Sequence, residues 1–271
     1  MNALVGEKLS IITSKAQTTR HRIHGILNGP DYQIIFSDTP GILHPAYKLQ
    51  EAMLKAARSA LVDADILIYM TEPGEQPDRE DPFLKRIADT DRPLLLLINK
   101  IDLSHQEKVK AQMETWDGIL PHAEKIPVSA LEDFNVEFVF QRILHHLPES
   151  PPYYSKDALT DKSERFFAAE MIREKILQGY KQEIPYAVEV EIESFKETDE
   201  LIRISALIYV ERESQKGILI GREGKALKRV GTEARKDMER FFQSKVFLEL
   251  RVKVKKDWRD SEYQIKKFGY R

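Results

Sequence analysis

"IIFSDTPGILH" (residues 34–44) is an apolar run that stops abruptly at an acid and a turn. Asp, Pro and Gly are common turn formers, so a strand that ends at Asp38 could end this way for structural reasons alone. The alternative is that Asp38 faces a metal-bound phosphate at the end of a buried strand. That alternative requires partner residues elsewhere in the chain.

Length and composition limit what those partners can be. The chain has 271 residues, of which 42% are hydrophobic, and this is enough to bury a core and to form two domains. It has no cysteine, which excludes disulfides and zinc-thiolate sites and suits a reducing cytosol. No apolar run approaches the roughly 18 residues that cross a bilayer. Residues 1–8 lack the basic-then-apolar order of a signal peptide, so we do not expect export.

The apolar pattern predicts an α/β layered domain over residues 1–147. "RIHGILN" (22–28) and "YQIIFSD" (32–38) indicate a hairpin. "ADILIYM" (64–70) and "PLLLLIN" (93–99) are continuous apolar runs, typical of strands covered by helices on both faces. Helices are predicted after residue 48 and over 104–118 and 134–146, with "KIPVS" (125–129) as a short strand.

A proline-rich linker, residues 148–156, leads to a second domain over 157–271. Its predicted order is a helix (about 161–179), two strands (186–195 and 201–210), a helical pair interrupted by glycines, and a last strand (245–255). Residues 212–271 hold 18 Lys and Arg against 9 Asp and Glu, a charge of +9 that leaves -11 for the rest. A basic block of this size favours a polyanionic partner, although basic helices are also ordinary solvated surfaces.

"INKID" (98–102) comes where a predicted strand ends, which is where α/β sheets bind ligands. Asn99 offers an amide, the aliphatic stem of Lys100 can cover a ring, and Asp102 can accept hydrogen bonds from the N1–H and amine of guanine. Adenine presents the wrong edge to that carboxylate. The alternative is a solvated turn after a strand.

A Gly-x-x-Gly loop, Gly221 to Gly224, interrupts the helical pair of the second domain. Glycines let a nucleic-acid backbone approach, and the N-terminus of the following helix favours phosphate. Many helix corners contain two glycines, but this element order and the basic block indicate a KH domain. The candidate RNA-binding residues are Lys216, Ile218, Ile220, Gly221, Arg222, Glu223, Gly224, Lys225, Lys228 and Arg229.

The motifs, in order along the chain, resemble those of translation-factor-related GTPases: "QTTRHR" (17–22), "DTPG" (38–41), "NKID" (99–102) and "SAL" (129–131). With "GEKLSIITSKAQTTRHRIHGI" (6–26) and "KGILIGREGKALK" (216–228), the chain resembles the bacterial Era family over nearly its whole length. The resemblance implies a P-loop-type GTPase domain with a mixed sheet, here truncated at the N-terminus, followed by an α+β KH domain of type II.

The resemblance also implies the ligands, Mg²⁺ and GTP, and the roles of individual residues. Thr19, in a switch with Thr18, would reach Mg²⁺ and the γ-phosphate, Asp38 would hold the metal through water, and the Gly41 amide would sense the γ-phosphate. The implied GTP-binding residues are Asp38, Thr39, Pro40, Gly41, Ile42, Asn99, Lys100, Ile101, Asp102, Ser129, Ala130 and Leu131. The implied partners are the 3′ end of 16S rRNA and the 30S subunit, and a cytoplasmic monomer that touches the inner membrane peripherally is expected.

One departure from the family pattern concerns the phosphate loop. The 271 residues contain no GxxxxGK[ST] motif, and Gly6-Glu7-Lys8 lacks the earlier glycine and the hydroxyl residue. We expect either a truncated sequence, which we favour, or loss of nucleotide binding. Two functions stay open: a GTP-hydrolysing switch that controls RNA binding, and a non-hydrolysing RNA-binding assembly module. The chain as it stands is predicted to be inactive as a GTPase. No catalytic residue is assigned, because Ile42 occupies the position where many GTPases have a glutamine that orients the attacking water.

Aromatic residues outside these motifs are interpreted as packing or surface residues. The seven histidines show no metal-ligand spacing. Trp116 and Trp258 are expected to pack in the core, although Trp258, beside Lys255, Lys256 and Arg259, could stack on a base.

Overall fold

The computed structural model describes residues 1–13, 15, 17–42 and 44–270. These residues fall into two compact units. Unit 1 contains Met1–Glu7, Leu27–Ile34 and Ser59–Asp157, and unit 2 contains Lys8–Ile26, Ile35–Arg58 and Ala158–Arg271. The sequence-based bounds of 1–147, 148–156 and 157–271 stay a prediction.

The predicted helices and strands occur in the predicted order. The strands are β1 (Ile23–Asn28), β2 (Gln33–Asp38), β3 (Leu67–Thr71), β4 (Leu94–Ile98), β5 (Glu124–Pro127), β6 (Glu189–Glu197), β7 (Ile202–Val210) and β8 (Val246–Val254). The helices are α1 (Asn2–Val5), α2 (Lys48–Asp63), α3 (Pro82–Ala88), α4 (Gln106–Asp117), α5 (Val136–His146), α6 (Glu164–Gly179), α7 (Ile184–Ala187), α8 (Glu213–Ile220), α9 (Lys225–Phe242) and α10 (Glu262–Lys267). Short 3-10 turns occur at Ile101–Leu103, Arg222–Gly224 and Trp258–Asp260. The helices α3, α7 and α10 are additional to the predicted elements.

Unit 1 is built on a parallel sheet in the order β3-β4-β5. The central strand, β4, is the continuous apolar run of the sequence, and all five of its residues are buried. Trp116 of α4 and the following Leu120 are fully buried in the same core, so Trp116 is a packing residue. β1 and β2 pair with each other across the short turn at residues 29–32.

Unit 2 contains a mixed sheet in the order β6-β7-β8. β6 and β7 are antiparallel, whereas β7 and β8 are parallel. The period of two in β7 places Ile202, Ile204, Ala206 and Ile208 in the core, where residues of α6 and α9 pack against them. This is the helix-strand-strand-helix-helix-strand order that the sequence predicts.

Trp258 is completely buried and does not face solvent. Its indole Nε1 donates to the carbonyl oxygen of Ala187 at 3.0 Å, and its ring packs with Leu49, Met53 and Ile265. Packing is therefore confirmed for Trp258, and the base-stacking alternative is wrong because both the ring and its polar atom already have partners. The short helix that contributes Ile265, α10, is not predicted by the sequence pattern.

His21 lies in an aromatic environment within unit 2. Its ring stacks on Tyr270 with centroids 4.1 Å apart and meets the edge of Phe166 at 5.4 Å. Burial lowers the pKa of His21 from 6.5 to about 4, and Glu170 opposes this effect only in part. The histidine is therefore a packing residue that stays neutral in the folded protein at neutral pH.

Replacing His21 with Phe should make stability less sensitive to acid. Because the folded pKa of His21 is lowered, the unfolded state binds its proton first, and the wild type loses stability as the pH falls from 6.5 towards 4. The difference in unfolding free energy between His21→Phe and wild type should grow in this window by up to about 1.4 kcal/mol per pH unit. Urea unfolding at several pH values measures it, with the exposed His122→Gln as the control. Parallel curves for wild type and His21→Phe would contradict the assignment.

Candidate nucleotide site and nucleic-acid interface

Two loops at the carboxyl end of the unit 1 sheet are joined by side-chain hydrogen bonds. The amide N–H of Asn99 donates to the carbonyl of Thr71 at 2.8 Å, which extends the β3-β4 ladder by one residue. Asn99 Oδ1 accepts from the Ala130 amide at 3.1 Å, and Asp102 Oδ1 accepts from Ser129 Oγ at 2.5 Å. The predicted base-binding and ring-supporting motifs therefore lie together, and the bond to Ser129 orients the Asp102 carboxylate.

The turn between Asn99 and Asp102 depends on Lys100. Its backbone is left-handed (φ 62°, ψ 33°), which redirects the chain from β4 into the 3-10 turn that contains Ile101. Its ammonium group pairs with the carboxylate of Glu72. Ala130 and Leu131 are exposed. The structure thus leaves an open surface beside the oriented carboxylate, as an incoming ring requires.

A cluster of side-chain oxygens surrounds Asp38 in unit 2. Asp38 Oδ2 accepts from Ser10 Oγ at 2.5 Å and from Thr19 Oγ1 at 3.3 Å. Carboxylate and hydroxyl oxygens are hard ligands of the kind that Mg²⁺ takes together with phosphate. The structure brings Thr19 and Asp38 together as the resemblance implies. It adds Ser10, which the motifs did not single out.

Thr18 points its hydroxyl away from this cluster. Its Oγ1 donates to the Lys15 carbonyl at 2.6 Å and lies 3.0 Å from Thr13 Oγ1. These contacts hold the loop before Thr19. The role of Thr18 in the switch therefore stays a prediction.

The loop after Asp38 is half open. Pro40 is buried, whereas Gly41 and Ile42 are exposed. A side chain at Gly41 would meet no atom within 4 Å, so its backbone is accessible. The Ile42 side chain is apolar and 38% exposed and offers no group that could hold an attacking water.

Buried charges lie beside the predicted switch, and no periodic signal in the sequence indicates them. Arg173 of α6 donates to both carboxylate oxygens of Glu170, each at 2.7 Å, and also to the carbonyl of Thr18. Burial acts to raise the pKa of Glu170, but the charge and hydrogen bonds of Arg173, together with smaller effects of His21 and Arg20, lower this pKa below its ordinary value. Arg20 donates to the carbonyls of Tyr186 at 3.1 Å and Val188 at 2.7 Å.

The Gly-x-x-Gly loop of unit 2 has positive φ angles at three of its four residues. Gly221 and Gly224 have φ of 72° and 73°, and Glu223 between them has φ 53°. A Cβ at Gly221 would lie 2.6 Å from the Cβ of Ala226, which excludes any side chain. A Cβ at Gly224 would meet nothing. The loop therefore makes a tight turn directly before the exposed N-terminus of α9. The free amides at a helix N-terminus favour binding of a phosphate group.

A groove lies between α9 and β8, with a cavity of about 360 Å³. Its lining residues are Gly224, Leu227, Lys228, Gly231, Thr232, Arg235, Leu248 and Leu250. Gly224 and Lys228 are the two predicted residues among them. The other predicted RNA residues lie on α8, in the loop or on the early turns of α9. The sequence pattern did not identify the residues of the groove floor, because it does not show which face of β8 meets α9. The glycine within α9, Gly231, was the one residue type there that the sequence could have flagged.

Models of two domain families match the chain. The KH domain model matches residues 183–259, and the model of the 50S ribosome-binding GTPase matches residues 1–100. The chain is thus a GTPase-type domain joined to a KH domain.

Curated relatives match over the full chain. It is 43% identical over 272 residues to GTPase Era of Geotalea daltonii and 45% identical over 273 residues to GTPase Era of Syntrophus aciditrophicus, covering all of this chain and 92% and 89% of those proteins. The chain belongs to the Era family of GTPases, which confirms the resemblance read from its motifs.

Solved structures agree. The crystal structure of Era in complex with MgGDPNP and nucleotides 1506–1542 of 16S ribosomal RNA has a TM-score of 0.94 and 36% identity, covering 99% of this chain and 92% of that one. A single-residue variant of Aquifex aeolicus Era bound to GDP.AlF4⁻ also has a TM-score of 0.94 at 36% identity, covering 99% of this chain and 93% of that one. The predicted fold, a GTPase domain followed by a KH domain, is confirmed.

Charge at Gly224 should control RNA binding. Asp and Asn at this position have the same size and both tolerate a left-handed backbone, and the space around Gly224 is open. Gly224→Asp should weaken binding of single-stranded RNA at least about tenfold more than Gly224→Asn, because only Asp repels the phosphates. Fluorescence anisotropy with both variants measures the ratio, and thermal unfolding checks that both fold. Equal RNA affinities of the two variants would show that the loop does not contact the phosphates of the RNA.

Proposed function

We propose that this protein is a GTP-dependent assembly factor of the small ribosomal subunit that binds the 3′ end of 16S rRNA through its KH domain. The observation that carries this proposal is the groove between α9 and β8, which opens beside the Gly221–Gly224 loop and the N-terminus of α9. An apolar floor with cations at its rim suits a single strand whose bases are turned inward and whose phosphates pass the loop. Family membership and the RNA held by the similar Era structure support it.

Considered separately, each unit has residues that suit one part of a Mg²⁺–GTP ligand. The Asp102 carboxylate, oriented by Ser129, offers acceptors to the donors of guanine, and the oxygens around Asp38 suit a magnesium ion. Mg²⁺, when bound with GTP, would neutralise charge on the β- and γ-phosphates. Thr19 and Asp38 would hold the ion, and the open backbone at Gly41 would meet the γ-phosphate. The 271 residues supply no GxxxxGK[ST] loop for the α- and β-phosphates.

RNA binding is tested with an RNA of nucleotides 1506–1542 of 16S rRNA and a version with the same composition in scrambled order. The proposal expects at least about tenfold tighter binding of the native order. With three or four phosphates neutralised, the logarithm of affinity should fall against that of salt with a slope of about -2 to -3. Equal affinity for both RNAs, or a slope near zero, would contradict the proposal.

Nucleotide affinity of the 271-residue chain should be weak. A phosphate loop contributes several charge-assisted hydrogen bonds, each worth about 1.5 to 3 kcal/mol, so a chain without one should bind GTP no tighter than about millimolar. Extending the chain with a strand and a GxxxxGK[ST] loop should restore binding. Calorimetry that finds micromolar GTP affinity for the 271 residues would mean that another segment holds the phosphates.

In the extended chain, Asp102→Asn should exchange the base preference. An amide can donate to the additional carbonyl of xanthine, whereas it loses an acceptor for guanine, so XTP affinity should rise while GTP affinity falls by about tenfold or more. Competition binding with both nucleotides measures the exchange. Affinities that move in the same direction would show that Asp102 does not contact the base.

The alternative function is a non-hydrolysing RNA-binding assembly module. The two functions differ in whether GTP changes RNA affinity.

Membership of the family suggests further proposals. These are the 30S subunit as partner, a monomeric state, and a cytoplasmic location with peripheral contact to the inner membrane. Among the described residues no helix has the length and apolar character to span a bilayer.

A further inference from the structure

The carbonyl of Leu219, two residues before Gly221, needs a hydrogen-bond donor from outside its own helix. Leu219 is the second-last residue of α8, and the last carbonyls of a helix lack amide partners within it. The residue is fully buried, so water does not supply the donor. A buried carbonyl without a donor destabilises a fold.

Tyr180 supplies this donor from the end of α6. Its phenol hydroxyl donates to the Leu219 carbonyl at 2.7 Å in a buried hydrogen bond. The two residues belong to the same hydrophobic core, and only 6% of Tyr180 is exposed. Burial raises the pKa of Tyr180, so the hydroxyl stays protonated and remains a donor at neutral pH.

The backbone of Tyr180 is fixed as well as its side chain. Its amide donates to the carbonyl of Ile176 at 3.1 Å, where α6 ends. The ammonium group of Lys15 donates to the carbonyls of Tyr180 and Leu177. The hydroxyl is therefore held in one place, and the last turn of α8 is held with it.

The end of α6 also lies close to α9. A Cβ at Gly179 would be 3.6 Å from Nη2 of Arg229, an ordinary van der Waals distance. Arg229 belongs to the early turns of α9, where predicted RNA-binding residues lie. Residues 179 and 180 thus lie against both helices that flank the Gly221–Gly224 loop.

We propose that Tyr180 is a positioning residue for the Gly221–Gly224 loop. By fixing the last turn of α8, it sets where the loop begins and where the loop amides point, and these amides receive an RNA phosphate. Tyr180 acts through the loop, because its hydroxyl is buried and already bonded to Leu219. The inference rests on the proposed RNA-binding function and adds a residue that neither the Gly-x-x-Gly motif nor its flanking cations indicate.

A merely structural role for Tyr180 gives a different expectation. Loss of the hydroxyl would then lower the free energy of unfolding, while the folded molecules would keep the RNA affinity and salt dependence of wild type. A positioning role changes how many phosphates the folded protein neutralises. That number sets the slope of the logarithm of affinity against the logarithm of salt concentration.

Tyr180→Phe removes only the hydroxyl. Where it is folded, we expect it to bind an RNA of nucleotides 1506–1542 of 16S rRNA about five- to tenfold more weakly than wild type. The salt slope should become less steep by about 0.7, the value of one phosphate contact on a single strand. Tyr209→Phe is the matched control, because it removes a hydroxyl that donates to Glu191 at 2.8 Å in the same unit. It should keep wild-type affinity and slope.

A double-mutant cycle with Gly224→Asp tests whether Tyr180 acts through the loop. Gly224→Asp already repels the phosphate at the loop, so adding Tyr180→Phe should weaken RNA binding no further. The same loss from Tyr180→Phe in both backgrounds would overturn the inference. A wild-type salt slope for folded Tyr180→Phe would overturn it as well.

A second variant keeps the inference testable where Tyr180→Phe does not fold. 4-Aminophenylalanine in place of Tyr180 keeps a donor to the Leu219 carbonyl, but its N–H is a weaker donor than the phenol O–H. We expect it to fold and to lose about two- to threefold in RNA affinity. If Tyr180→Phe is unfolded, wild-type affinity of this variant would overturn the inference. Failure of wild type to bind the RNA would instead contradict the proposed function, which is a distinct outcome.

Discussion

The pairing of the buried guanidinium of Arg173 with Glu170 is the interaction on which unit 2 depends. A charge this deeply buried destabilises a fold by several kcal/mol unless it is paired and hydrogen-bonded. Arg173 donates through Nε and Nη2 to Glu170, one turn earlier on α6, and through Nη2 to the carbonyl of Thr18, while its buried Nη1 has no hydrogen-bond partner among the described residues. The residue that follows Thr18 is Thr19, whose hydroxyl reaches Asp38. The segment that carries Thr19 is therefore anchored to helix α6 of unit 2.

This anchoring gives the proposed switch a physical basis. Arg20 adds bonds to the carbonyls of Tyr186 and Val188 just before β6, so the segment around Thr19 is held on both sides. The segment cannot move without breaking charge-assisted hydrogen bonds to α6 and to the start of β6. Moving Thr19 therefore requires breaking bonds to α6 and to the residues just before β6.

Much of the fold could be predicted from the sequence because its signals are local. The buried run of β4, the period of two in β7 and the Gly-x-x-Gly loop each follow from residue type and spacing alone. The hydrogen bonds between the base-site loops were also predictable in outline, since Asp102 and Ser129 both follow strand ends of one parallel sheet.

The rest depended on contacts that no spacing encodes. Arg173 and Thr18 are 155 positions apart, and no periodicity links them. Trp258 was ambiguous because its neighbours in sequence are cations, whereas its neighbours in space are apolar. The groove floor required the pairing of β8 with β7, which decides that Leu250 faces α9.

We propose that RNA binds along the Gly221–Gly224 loop and the groove between α9 and β8. Hydrogen–deuterium exchange of the whole chain, with and without an RNA of nucleotides 1506–1542 of 16S rRNA, tests it most directly. We expect slower exchange on RNA binding for the amides of the loop and of the first turn of α9, which have no hydrogen-bond partners within the helix. Protection confined to unit 1, with unchanged exchange over residues 221–235, would contradict it.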